Sequence, residues 1–268
     1  MTDSAPQSPK QKPVALPYGG GRIRLRLSVS AEVSFWGRQE TAAAIEAALT
    51  SAGLGVAMTS GKRPRKKIAF GPPLSLGMSS DAEYADITLS DAVDDVVFEV
   101  NAHLVSGIVI KSAKRLGNAA PSLMALIAEL AYELTVPASV AGHQEIEEQV
   151  EHFARQTIFQ VQKITPDKTK TVDLARGVRK LKVVESSEAH TRLVLTAATN
   201  DPNGHNANPS QVLNRVLKLD EEAQSNCQIM RVAAFSSDGS NIDAALRTVK
   251  RSGLLHSKRQ EFIRFIDS

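Results

Sequence analysis

Hydrophobic and polar residues alternate strictly through Arg22-Ile23-Arg24-Leu25-Arg26-Leu27. A period of two is that of a half-buried strand, with Ile23, Leu25 and Leu27 on the core face and Arg22, Arg24 and Arg26 on the other. From Arg38 to Ser51 the period lengthens: Ala42, Ile45 and Leu49 share one side of a helix, and Gly53 stands where a C-terminal cap is expected. Val56 to Thr59 resumes an extended run. Gly61 to Lys67 is a basic loop containing Pro64, and Ile68-Ala69-Phe70 is a short strand stopped by Gly71-Pro72-Pro73. Alternation returns over Tyr84 to Leu89. Asp94 to Leu104 reads as a second helix, with Asp94 or Asp95 near its N-terminus, where negative charge is favoured. Gly107 separates it from the strand Ile108-Val109-Ile110. The order strand, helix, strand with its hairpin partner, helix, strand is the split βαβ, or ferredoxin-like, arrangement.

The remaining pattern predicts a second unit of related class. Ser122 to Tyr132 reads as a connecting helix, with Ala131 to Val136 as a strand, and the acidic stretch 138–149 fits an exposed helix. Strands follow at Thr157–Ile164, Leu181–Val184, Thr191–Ala197 and Gln228–Ala233. A short helix falls within Val172–Leu181, and another runs from Ser210 to Leu217 after the turn-rich loop Asp201–Pro209. Helices are also predicted near 241–251 and 257–266, separated by Gly253. The expected class is α+β, built on ferredoxin-like units in tandem. It divides into a disordered tail over 1–20, a ferredoxin-like unit over 21–137, a second α+β unit over 138–235 and a helical extension over 236–268.

Composition narrows the functional classes. With 42% hydrophobic and 23% charged residues, the 268-residue chain can bury a sizeable core. A net charge of +3 and a pI near 9.0 are mild, so any nucleic-acid argument rests on where the charges sit. Aromatics at 4% argue against a surface that stacks many bases. The single cysteine, Cys227, cannot build a disulfide framework, an iron–sulfur cluster or a cysteine zinc site; beside Ile229 and Met230 it reads as a packed thiol. No apolar run approaches the ~20 residues of a membrane helix, and Met1 to Pro17 has no apolar signal region, so a cytoplasmic protein without membrane contact is expected.

Several motifs together resemble a known family. Arg24-Leu25-Arg26-Leu27, Glu46-Ala47-Ala48-Leu49 and Ala52-Gly53-Leu54 are similar to the start of the radical-SAM-linked domain of unknown function. So are Ser60-Gly61 with Pro64-Arg65, Ile68-Ala69-Phe70 with Pro73-Leu74, and Gly77, Ser79, Glu83-Tyr84 and Asp86-Ile87. Pro121-Ser122-Leu123, Val172-Asp173-Leu174, Pro209, Val212-Leu213 and Ile229-Met230-Arg231 carry the likeness to about residue 233. The resemblance implies association with a radical SAM protein, as fused partner or neighbouring gene product, and no settled activity. The general shape is also similar to tandem ferredoxin-like RNA-binding proteins, including CRISPR RNA endonucleases. Two stretches depart from the family. Where it carries Ser-His-Leu-Asp, this chain has Gly37-Arg38-Gln39-Glu40. Where it reads Gly-Phe-(His or Asn)-Pro-Arg-Pro, this chain has Gly61-Lys62-Arg63-Pro64-Arg65-Lys66. Whatever the family's histidine does is lost here, and the loop is more basic.

Two groups of cations carry the RNA expectation: Arg22, Arg24 and Arg26 on the first strand, and Lys62, Arg63, Arg65, Lys66 and Lys67 in the loop. Such side chains neutralise phosphates and release counterions, and Gly61 permits close backbone approach. A solvated charged loop would have the same sequence. The three arginines repel one another unless offset, either by acids on neighbouring strands such as Glu83 or Asp86, or by a phosphate backbone lying across the sheet. His103, His143, His152, His190, His205 and His256 are scattered and form no metal-binding motif. No nucleophile elbow is present, and Gly19-Gly20-Gly21 precedes a strand rather than opening a helix. No catalytic residue, cofactor or metal ligand is therefore expected, and one cysteine rules this chain out as the radical SAM catalyst itself. The sequence favours a non-catalytic RNA-associated module. The alternatives are an accessory protein-interaction subunit of a radical SAM or RNA-processing enzyme and, third, a metal-independent ribonuclease, for which no general base is evident.

Overall fold

The computed structural model of the chain describes residues 20–165 and 168–243. The tail through residue 19 and the helices expected beyond 243 lie outside them. Ten strands are described: β1 (Gly21–Val29), β2 (Ile68–Phe70), β3 (Ser79–Leu89), β4 (Ile108–Arg115), β5 (Glu129–Pro137), β6 (Gln160–Thr165), β7 (Lys168–Asp173), β8 (Val178–Ser186), β9 (His190–Ala198) and β10 (Gln228–Phe235). Eight of them form one mixed sheet in the order β4-β1-β3-β10-β5-β9-β8, with β2 paired to β3; β6 and β7 make a separate hairpin. The protein is thus a mixed α+β fold around one large sheet.

Pairing divides the sheet into two similar halves. In the first, β4-β1-β3-β2 is antiparallel throughout. In the second, β10-β5-β9-β8 is antiparallel throughout. The halves meet where Met230 and Arg231 run parallel to Ser79 and Ser80. β5 ladders with β9 and β10, so by pairing its residues 129–137 go with the second half.

The alternation in β1 works as the sequence pattern requires. Ile23, Leu25 and Leu27 are buried with Ala85, Ile87 and Leu89 of β3 beneath α1 (Arg38–Ser51), which contributes Ile45 and Leu49. Each such aliphatic side chain contributes about 1.5–3 kcal/mol by leaving water. Gly53 ends α1 at φ +69°, and the amides of Gly53 and Leu54 reach back to the carbonyls of Thr50 and Leu49 at 3.0 Å each. The second helix, α2 (Val96–Asn101), is shorter than expected; Asp95 caps it by accepting from the amides of Val97 and Phe98. Asn101 then clamps α2 to β4 through both backbone groups of Ile110, at 2.8 and 2.9 Å.

The largest departure from the sequence pattern is at 122–132. Only α3 (Leu123–Leu126) is helical, and β5 begins at Glu129. The apolar run suits either element locally. The strand prevails because ladders on both sides satisfy its backbone while Leu130, Tyr132, Leu134 and Val136 enter the core. The acidic helix falls at α4 (His143–Ala154), later than expected, and it is amphipathic: Ile146, Val150 and Phe153 are buried in a stripe beneath its acids. After α5 (Leu174–Gly177), the helix expected from Ser210 is one turn, α6 (Pro209–Gln211), running into a π-helical turn at Val212–Val216; α7 (Glu221–Ser225) precedes β10. Among the described residues, no helix is long and apolar enough to cross a membrane.

Candidate nucleic-acid interface

The three arginines of β1 lie opposite the α1 core, and there they meet carboxylates. Arg24 is 5% exposed and holds Asp86 with two bonds, Nε to Oδ1 at 2.7 Å and Nη2 to Oδ2 at 3.0 Å. Arg22 donates to Asp86 Oδ2 at 2.5 Å, and both guanidiniums also donate to the Pro121 carbonyl. The register pairs Arg24 directly with Asp86 across the ladder, which is why the strand tolerates this row of cations. Arg26 donates to the Asp81 carbonyl at 2.8 Å and approaches Asp243 at 3.0 Å; Tyr84 donates to the other oxygen of Asp243 at 2.5 Å. Burial, then the charge of Asp243, pushes the Tyr84 hydroxyl well above its ordinary value.

A fourth arginine joins the two halves. Arg231 of β10 is buried, donates to Glu83 at 2.7 Å and to the carbonyls of Pro72 and Pro73, and lies over the Tyr132 ring. Burial works against its charge, but Glu83 and Tyr132 together more than offset this, and its pKa is raised. Glu83 also accepts from Ser80 at 2.8 Å. Glu83 and Asp86 therefore serve different arginines, as their opposite faces on β3 require.

The basic loop is built differently. Met58 bridges Lys66, the Thr59 amide donates to the Arg65 carbonyl at 2.8 Å, and the Arg65 amide donates to Thr59 Oγ1 at 3.0 Å, fixing the base of the loop. Lys66 turns inward, donating to Thr50 at 3.0 Å and facing Glu46 at 3.8 Å on the last turns of α1. The side chains of Lys62, Arg63, Arg65 and Lys67 are exposed and, among the described residues, meet no carboxylate. Gly61 has φ +123° with open space around it. At the other end of α1, Arg38 lies over the Phe70 ring at 5.7 Å and donates to the Gly71 carbonyl at 3.1 Å. It borders a small, largely apolar pocket lined by Leu27, Trp36, Phe70 and Leu74 with Glu83 among its walls. Among the described residues, no cluster of His, Cys, Asp or Glu is arranged to hold a metal.

A family described as "Uncharacterized protein conserved in bacteria (DUF2344)" matches residues 22–209. The chain belongs to that family. The arginine–Asp86 cluster, the basic loop and the Arg38 pocket all fall inside the family span, whereas Arg231 and Asp243 lie beyond it. No curated protein matches the chain.

Sequence reasoning named Asp86 and Glu83 as possible counter-charges for β1, and Asp86 takes that place for Arg22 and Arg24. It did not find Asp243, Arg231 or the Pro121 carbonyl. Their hydrogen bonds span 97 to 159 residues of chain and the Arg26–Asp243 ion pair still more, and no local pattern marks them.

Proposed function

We propose that the protein is a non-catalytic, cytoplasmic RNA-associated module whose phosphate contacts are made by Lys62, Arg63, Arg65 and Lys67, with Lys66 bracing the loop. The observation that carries this reading is the contrast between the two cation groups. The β1 arginines have partners within the protein, so we assign Arg22, Arg24 and Arg26 to the framework. Lys62, Arg63, Arg65 and Lys67 present side chains that, among the described residues, have no acid beside them, the arrangement that gains most from a polyanion. The two halves of the sheet, each with its fourth strand beside the first and its second at the far side of the third, support reading the framework as tandem ferredoxin-like units. The test is binding of fluorescein-labelled RNA to the full chain across a salt series. Arg63→Glu with Arg65→Glu should weaken binding and flatten the salt slope while leaving the melting temperature unchanged. Binding unaffected by the charge reversal would refute the assignment.

A second reading, an accessory subunit of a radical SAM or RNA-processing enzyme, is favoured by the exposed apolar side chains Phe98, Val105 and Val109 beside the edge strand β4. It predicts stoichiometric co-purification with the radical SAM protein after nuclease treatment, lost on Phe98→Ser with Val109→Ser.

A further inference from the structure

We infer that the RNA taken up by this surface is single-stranded, with phosphates at the 62–67 loop and an unstacked base on Trp36 and Phe35; this rests on the RNA reading above. Phe35 is 79% exposed, Trp36 38% and Leu76 63%, an apolar group that folding leaves in water. The Phe35 ring lies beside Gly77, where an added Cβ would sit at ordinary contact distance, 3.8 Å. Two residues beyond Trp36, the Arg38 guanidinium is held over Phe70, so a fixed cation lines the same pocket as Trp36. Helix α1 sets the geometry. Its first residue is Arg38, and Thr50 in its last turn anchors Lys66 of the basic loop. The rise along a helix puts these points about 18 Å apart, the span of a few nucleotides of extended strand. Charge complementarity at the loop selects a polyanion, and exposed aromatics beyond it reward one whose bases are free. Duplex RNA keeps its bases stacked inside and would leave Phe35 and Trp36 unused.

Trp36 is the only tryptophan of the chain, so its emission reports on this place alone. The full-length protein is titrated with a single-stranded RNA of about ten nucleotides, a length in the range such sites take, and with a duplex of the same length. Anisotropy of the RNA and emission of Trp36 are read together. The inference expects tighter binding of the single strand and quenching of Trp36 along the same isotherm. It also expects affinity to drop by at least about fivefold in Trp36→Ala, the loss of one stacked base, with Trp36→Phe keeping most of it. Binding that needs Arg63 and Arg65 but is equal for the duplex and silent in Trp36 emission overturns the single-strand inference and leaves the RNA reading standing. Absence of binding to either RNA removes both. Equal quenching by a polyglutamate peptide, with RNA displaced, overturns it in favour of an acidic protein segment.

Discussion

Replacing Asp86 by alanine strips the counter-charge from two arginines at once. Arg24 suffers most: its side chain is 6% exposed and both its bonds to Asp86 are short, at 2.7 and 3.0 Å. Arg22 is 30% exposed and keeps its bond to the Ala120 carbonyl, so water can take over part of its solvation. The cost is therefore close to that of leaving one buried guanidinium unpaired, about 3–5 kcal/mol. A domain holds together by only ~5–15 kcal/mol, so the loss is a large fraction of the whole. In urea denaturation followed by circular dichroism, a slope of about 2 kcal/mol/M turns it into a midpoint shift of ~1.5–2.5 M at unchanged slope. The companion Asp86→Leu with Arg24→Met removes both charges of the buried pair and should be less destabilised than Asp86→Ala alone. A cost for Asp86→Ala below about 1 kcal/mol, or a double variant less stable than the single, would refute the claim that this cluster is an internal framework.

Gly53→Ala should cost about 1–2 kcal/mol in the same assay, because φ is +69° but nothing lies within 4 Å of the added methyl. Gly107→Ala should cost more, since φ is +89° and the methyl would meet Ser30 Oγ at 2.9 Å and Val33 at 3.0 Å. Equal losses would show that space at Gly107 is not limiting. On the alkaline side, burial pushes the Cys227 thiol from its ordinary 9.0 up to about 11 and raises Tyr84 and Tyr132 above 10.0. Groups with raised folded pKa values favour the folded state fully below their unfolded values and less as pH climbs through the folded ones. Urea midpoints should therefore be flat near pH 8 and fall from about pH 9 upward. A midpoint that rises over that interval contradicts the burial of these groups.

The elements set by local pattern were legible in the sequence. β1 alternates because one face must be apolar, and α1 begins at Arg38 and ends at Ser51 with Gly53 beyond it, because periodicity and a left-handed cap are written in neighbouring residues. The basic loop was legible for the same reason: a glycine, a proline and consecutive cations need no distant partner to be recognised. At 122–132 the local signal fitted two elements, and the ladders of β5 to β9 and β10 decided between them. The same holds for the charges. Sequence placed Arg22, Arg24 and Arg26 on one face but could not say whether carboxylates or phosphates balance them. Only the fold brings acceptors to them: the register of β1 against β3 sets Arg24 opposite Asp86, and chain returning from far away adds the Pro121 carbonyl and Asp243. Periodicity is a property of adjacent residues and survives in the linear text; compensation of a buried charge is a property of proximity, which exists only once the chain has folded.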